Sequence, residues 1–145
     1  MRLIFKELGE AAQNEEIKET LQARVFVAER TLENLDEAFR LIGEQPVKLT
    51  GRLHDVFVED FRKELAEIQS PEAKRLFILA KASHLIHLRI GEYVALVAAA
   101  DVSGNYGVGV LLESCLGDTI AFVERAKRLI RNVVETRVAA AAARP

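Results

Sequence analysis

Residues 71–100 read PEAKRLFILAKASHLIHLRIGEYVALVAAA, and Ser70 stands before them. Ser70-Pro71 is a helix start. The hydroxyl accepts from free N–H groups of the first turn, and proline at the first helical position loses no hydrogen bond. No proline or strong breaker comes for about thirty residues, so the stretch predicts one helix of roughly 40 Å, with the other helices laid along it. Wound at ~100° per residue, Leu76, Phe77, Ala80, Val94, Ala95 and Ala98 gather on one side, and Lys74, Arg75, Lys81, Arg89 and Glu92 on the other. His87 falls near the middle of the apolar side and His84 on its flank, which predicts a buried histidine pair at i, i+3. Ile78, Leu85, Tyr93 and Leu96 fall among the charges, and a helix this apolar on a second face packs against something else.

Upstream of this helix, Met1–Ala12 reads as a short amphipathic helix on Leu3, Ile4 and Leu8, and Asn14 caps the next one. Glu15–Ile42 reads as a long helix with the core stripe Ile17, Leu21, Ala28, Leu32, Leu35, Phe39 and Ile42, ended by Gly43. Arg24 lands in that apolar stripe, and Phe26 on the charged side. After a connection through Pro46, Gly51–Ile68 reads as a shorter helix capped by Thr50, with Leu53, His54, Phe57, Phe61, Leu65 and Ile68 on one face. Downstream, Asp101–Gly104 turns the chain into a last helix from about Asn105 to about Arg137. Its inward side is Val108, Leu112, Cys115, Thr119, Phe122, Ala126, Ile130 and Val133. Gly107, Gly109 and Gly117 weaken it by roughly 1 kcal/mol each, which predicts close approach of a neighbouring helix. The whole is all-α: one domain over 1–137, a flexible tail over 138–145, and a four-helix antiparallel bundle with a short crossover helix.

The 145 residues are 50% apolar, with three prolines and a net charge of −2. That charge, with basic and acidic residues interleaved, predicts no nucleic-acid partner. The single cysteine, Cys115, excludes an intrachain disulfide framework and suits a reducing compartment. MRLIFKELGE lacks the apolar core of a secretory signal, and the most apolar window, around Tyr93–Ala100, is too short to span a bilayer. A cytoplasmic protein without a membrane partner is the expectation.

FKELGEAAQNEEIKETL (residues 5–21), TLENLDEAFRLIGEQP (31–46) and HLIHLRIGEYVALVAAA (84–100) resemble the YciE/YciF ferritin-like family of bacterial proteins. The resemblance runs from about Leu3 to about Arg131 and rests on helix order, spacing and the LIGEQP and IGEY segments. It implies a ferritin-like fold and a family generally of unknown function, linked to stress responses. The family opens with a longer first helix that carries an acidic residue, and Met1 stands near the middle of that helix. The family's inward histidine of the second helix corresponds to Arg24. Its Glu-His of the central helix corresponds to Ile86-His87, a nearby acidic position to Arg89, and the acidic pair of the last helix to Asp118 and Thr119. Only His87 and Asp118 remain of that metal set.

A ferritin-like di-metal site needs about four carboxylates and two histidines projecting inward. No glutamate lies on the core stripe of a long helix, so neither a di-iron site nor a cofactor is expected. His84 and His87 are read as two core histidines with one hydrogen bond each, or as holders of a single zinc with Asp118 as third ligand. His54 reads as an edge-of-core residue, and Cys115 as a small core hydrophobe. Arg24, if buried, must be paired, and Asp118 is the best-placed carboxylate, giving a polar cluster of Arg24, His87 and Asp118. On that reading Arg24→Met strands Asp118 and costs a few kcal/mol. On the alternative, Arg24 snorkels to the surface.

The function expected from these residues is non-catalytic: a bundle acting through self-association, with Phe26, Ile78, Leu85, Tyr93 and Leu96 as the homodimer surface. A metal-dependent oxidase or iron-handling protein is the first alternative, and a module binding a small apolar ligand or a partner in its interior is the second.

Overall fold

The structure is a computed structural model that describes residues 2–47 and 52–143, with side chains described at all of these except 2, 3, 53 and 54. The expectations for Leu3, Thr50, Leu53 and His54 therefore fall outside the described side chains. Five helices come in order: α1 (Arg2–Ala11), α2 (Glu15–Ile42), α3 (Arg52–Glu67), α4 (Pro71–Val102) and α5 (Tyr106–Ala142). The fold is an all-α bundle.

The helix ends form where local chemistry puts them. Asn14 accepts from the N–H of Ile17 at 3.0 Å, and the Ser70 hydroxyl accepts from Ala73 at 3.3 Å ahead of Pro71. Gly43 closes α2 with φ 71°, a left-handed conformation that suits glycine, while the N–H groups of Gly43 and Glu44 donate to Arg40 and Phe39. α5 continues past Arg137 to Ala142, because an alanine run has the strongest intrinsic helix preference.

Polar contacts fix the directions. Thr20 meets Arg125, Arg30 meets Asp118 and Asn34 meets Cys115, so α2 and α5 run antiparallel. α4 and α5 form a hairpin and come close at Gly109, where a Cβ would stand 2.9 Å from the Asp101 carboxylate and 3.9 Å from the Ala100 methyl. Of the three glycines expected to admit a neighbour, only this one has such an approach. Gly107 has ordinary contact with Leu41, and Gly117 faces open space. α1 packs on α2 and α4, and α5 packs on the same two, so the order round the bundle is α1, α2, α5, α4. α3 lies outside, seated on α4 by the stacked rings of Phe61 and Phe77 and by Lys81, which pairs with Glu64 and lies over Phe57 and Phe77.

The main core joins Ile4, Phe5 and Leu8 of α1 to Ile17, Leu21, Phe61, Leu79, Ile86, Phe122 and Ala126. A smaller cluster of Tyr93, Ala100, Leu112 and Cys115 fills the other end, with Leu35, Val97, Val108 and Leu116 half-buried against it. α5 is long and apolar enough, by length and composition, to cross a membrane. Its Leu112, Cys115, Thr119, Phe122, Ala126 and Leu129 are nevertheless buried against the other helices.

Two faces differ from the sequence expectation, for one reason. The buried positions include Ile17, Arg24, Thr31 and Ala38 in α2 and Leu79, Ile86, Tyr93 and Ala100 in α4, each set spaced by seven. A seven-residue seam drifts by ~20° per repeat against a straight helix. A fixed wheel therefore spreads the seam of a thirty-residue helix over two faces. Ile78, Leu85 and Tyr93 are buried and cannot form an outward interface stripe, whereas Leu32 and Ile42 are exposed. Ile78, Leu85 and Leu96 occupy one row of α4. The first two are covered where α1 and α3 lie, and Leu96, further along, is 48% exposed.

Candidate functional site

The buried polar residues described are Thr20, Arg24, Thr31 and Thr119. Each threonine hydroxyl is satisfied within its own helix: Thr20 donates to Glu16 O, Thr31 to Val27 O and Thr119 to Cys115 O. Thr20 also accepts from Arg125 Nε at 3.0 Å. These residues need nothing more.

Arg24 does. It is 4% exposed, and its Nε and Nη1 have no hydrogen-bond partner among the described residues. Asp118, expected to pair with it, accepts from Arg30 Nη2 at 2.5 Å instead, with its side chain 25% exposed. Asp118 sits on the rim of α5 that faces α2, and Arg30 stands on the opposing rim. Sequence pattern could have found this partner, because Asp118 winds to the flank of the inward face and not to its middle. Burial pushes the Arg24 pKa below the usual arginine value; the nearby Tyr93, Asp118 and Cys115 oppose that shift and Arg89 adds to it.

His87 is exposed, its Nδ1 2.7 Å from the Ser83 carbonyl oxygen, and His84 is exposed with its ring edge-on to Phe57. Neither is a core histidine. The expected cluster of Arg24, His87 and Asp118 is thus not assembled: one member is buried, one lies on the rim and one is outside. Cys115 is buried, as a small core residue should be, and its sulfur accepts from Asn34 Nδ2 at 3.6 Å. Among the described residues no three His, Cys, Asp or Glu side chains stand close enough to hold a metal ion. An interior of threonines and an unpaired guanidinium does not fit a di-metal centre, since it offers cations no negative charge.

Tyr93 lies 7% exposed beside this arginine. Burial raises its phenol pKa, the nearby Cys115 adds to the rise, and Arg89 and Arg24 partly offset it. The unfolded phenol ionises near about pH 10, so the folded state holds this proton longer. The contribution is full below about pH 10 and is lost as pH climbs through the higher folded value. Stability should therefore fall with rising alkalinity above about pH 10. Tyr93→Phe should flatten that slope in urea titrations made from neutral to alkaline pH.

A second feature is an open depression beyond the start of α2, lined by Glu72, Arg75, Asn132 and Arg137 among others. Charges of both signs stand round it.

Residues 3–139 match the protein family described as a domain of unknown function, DUF892. No curated protein sequence matches the chain. Among solved structures, the E. coli stress protein YciF superposes with TM-score 0.85 at 19% identity, covering 92% of this chain and 85% of that one. YcfI from Rhodopseudomonas palustris, described as "a putative structural protein", superposes with TM-score 0.81 at 21% identity, covering 87% of this chain and 80% of that one. At these identities the likeness extends to the fold, and it agrees with the YciE/YciF resemblance carried by residues 5–21, 31–46 and 84–100.

Proposed function

The chain belongs to the DUF892 family, and from that premise we propose that it is a non-catalytic ferritin-like bundle, acting in the cytoplasm through association with a second copy of itself. The stress-related and structural descriptions of YciF and YcfI support a role of this kind.

The observation that carries the proposal is at the surface. Phe26 is 70% exposed on α2, the one phenylalanine described that is turned fully outward. Exposed apolar side chains also include Leu96, Val110 and Ile120. Scattered single residues of this kind are normal, but a phenylalanine this open is an anchor type that protein interfaces favour. A two-fold contact buries one such patch against its own copy. The interior supports the non-catalytic part of the proposal, since the buried polar side chains among the described residues are three threonines, each bonded within its own helix, and one arginine. Light scattering should return twice the chain mass for the parent and the single chain mass for Phe26→Glu. A monomeric parent overturns the proposal.

A further inference from the structure

The open depression at the end of the bundle has three walls, one from each of α2, α4 and α5. Thr20 meets Arg125 across the antiparallel pair, so the start of α2 stands level with about Arg131, and α5 runs on about 16 Å past it to Ala142. Gly109 meets Ala100 in the hairpin, which sets the first turn of α4 level with about Arg137. The space between the three helices is about 520 Å³, within the range of small-molecule sites. Part of its lining is apolar, from Ile17, Leu129 and Val133, and part carries Arg75, Arg137 and Asn132.

Most of the other polar groups round it are already engaged. The Asn14 side chain accepts from the N–H of Ile17, and the Thr136 hydroxyl donates to the Asn132 carbonyl. The Glu72 carboxylate accepts from the Ser70 hydroxyl at 2.9 Å. Its own backbone N–H and that hydroxyl hold the Glu72 carboxyl below the usual range, and the fields of Arg75 and Arg137 add to the effect. Glu16 is exposed to water on the outer rim.

The two guanidiniums are not engaged. Among the described residues neither Arg75 nor Arg137 makes a hydrogen bond or a close ion pair. Arg75 is half-buried with its Nε covered, so the edge it offers to the depression is that of Nη1 and Nη2. Arg137 is exposed on the wall that α5 forms.

We propose that this depression binds a phosphomonoester, its phosphate held between Arg75 and Arg137 and its organic group against Ile17, Leu129 and Val133. Two features point to that chemistry. The unpaired cations stand on different helices, so they approach an anion from two directions. One arginine fork fills a planar carboxylate, whereas the three terminal oxygens of a phosphate take donors from both arginines and from the Asn132 amide. The apolar wall offers the organic group a burial that inorganic phosphate cannot use. The site does not use the surface round Phe26, so a failure of self-association leaves it standing.

The test titrates the full chain with phenyl phosphate, inorganic phosphate and benzoate by calorimetry. Phenyl phosphate should bind with about one equivalent per chain, and the other two at least about fivefold more weakly. Arg137→Gln removes an exposed guanidinium without touching the core, and should weaken phenyl phosphate about tenfold, the loss of a charge-assisted pair. Arg75→Gln should do the same while remaining folded by circular dichroism. Arg131→Gln, on the same helix but outside the lining, removes an equal charge and should leave the affinity unchanged. The site is refuted if phenyl phosphate does not bind, or if benzoate or inorganic phosphate binds as tightly. It is refuted equally if either lining variant keeps the parent's affinity, or if Arg131→Gln weakens binding as much as Arg137→Gln.

Discussion

Phe5→Ala is expected to lower stability by about 4 kcal/mol, the middle of the range for losing a buried aromatic ring. Phe5 is 1% exposed and stands edge-on to Phe122, with centroids 5.6 Å apart and planes at 73°. Its removal takes away transfer free energy, leaves a cavity between α1 and α5, and breaks a favourable ring pair. The effect should not stay local. A helix of 10 residues is below the length that holds in water alone, so α1 stays helical through its packing. That packing rests on Ile4, Phe5, Leu8 and Ala12. The same substitution should therefore reduce helicity by about the share of α1 before the main unfolding transition. Urea unfolding monitored by circular dichroism reads both effects. Lys6→Ala, exposed on the same helix, should lie within about 0.5 kcal/mol of the parent. A loss below about 1 kcal/mol for Phe5→Ala would mean that α1 is not part of the cooperative core.

The bundle was legible because its punctuation is local. Asn14, Gly43, Ser70 and Pro71 each act on their own turn of backbone, and the helix ends that they mark agree with the structure to within a residue or two. The inward face of α5 was equally plain, since Leu112, Cys115, Thr119, Phe122 and Ala126 all stand inside. The faces of α4 were not. Apolar residues surround that helix, because α5, α1 and α3 each touch a different side of it. The stripe Ile78, Leu85 and Tyr93 is where neighbours in the same chain sit, and its far end, Leu96, is 48% exposed. Nothing local in the sequence says how far one helix reaches along another. Histidines were misplaced for the same reason: His84 and His87 wind onto an apolar side whose true centre lies at Ile86.

Arg24 was legible as buried but not in its pairing, and the pairing decides the sign of the second large effect. With Asp118 as its partner, Arg24→Met would strand a carboxylate and destabilise the fold. The structure gives Asp118 to Arg30, so nothing is stranded when Arg24 goes. The group lost instead is a guanidinium, 4% exposed, with two nitrogens unpaired. An unsatisfied buried polar group costs about 1–3 kcal/mol, more when charged. Replacing a buried charge with an apolar side chain of similar length commonly stabilises by about 1–4 kcal/mol. Methionine suits the place because its flexible thioether fills irregular space beside Tyr93 and Cys115. Arg24→Met is therefore expected to raise the stability of the protein by about 2 kcal/mol, measured as a higher urea midpoint at unchanged slope. The double mutant with Asp118→Asn separates the two pairings. If Arg24 and Asp118 are independent, the two single effects should add within about 0.5 kcal/mol. Destabilisation by Arg24→Met that Asp118→Asn relieves would return Asp118 to Arg24 as its partner.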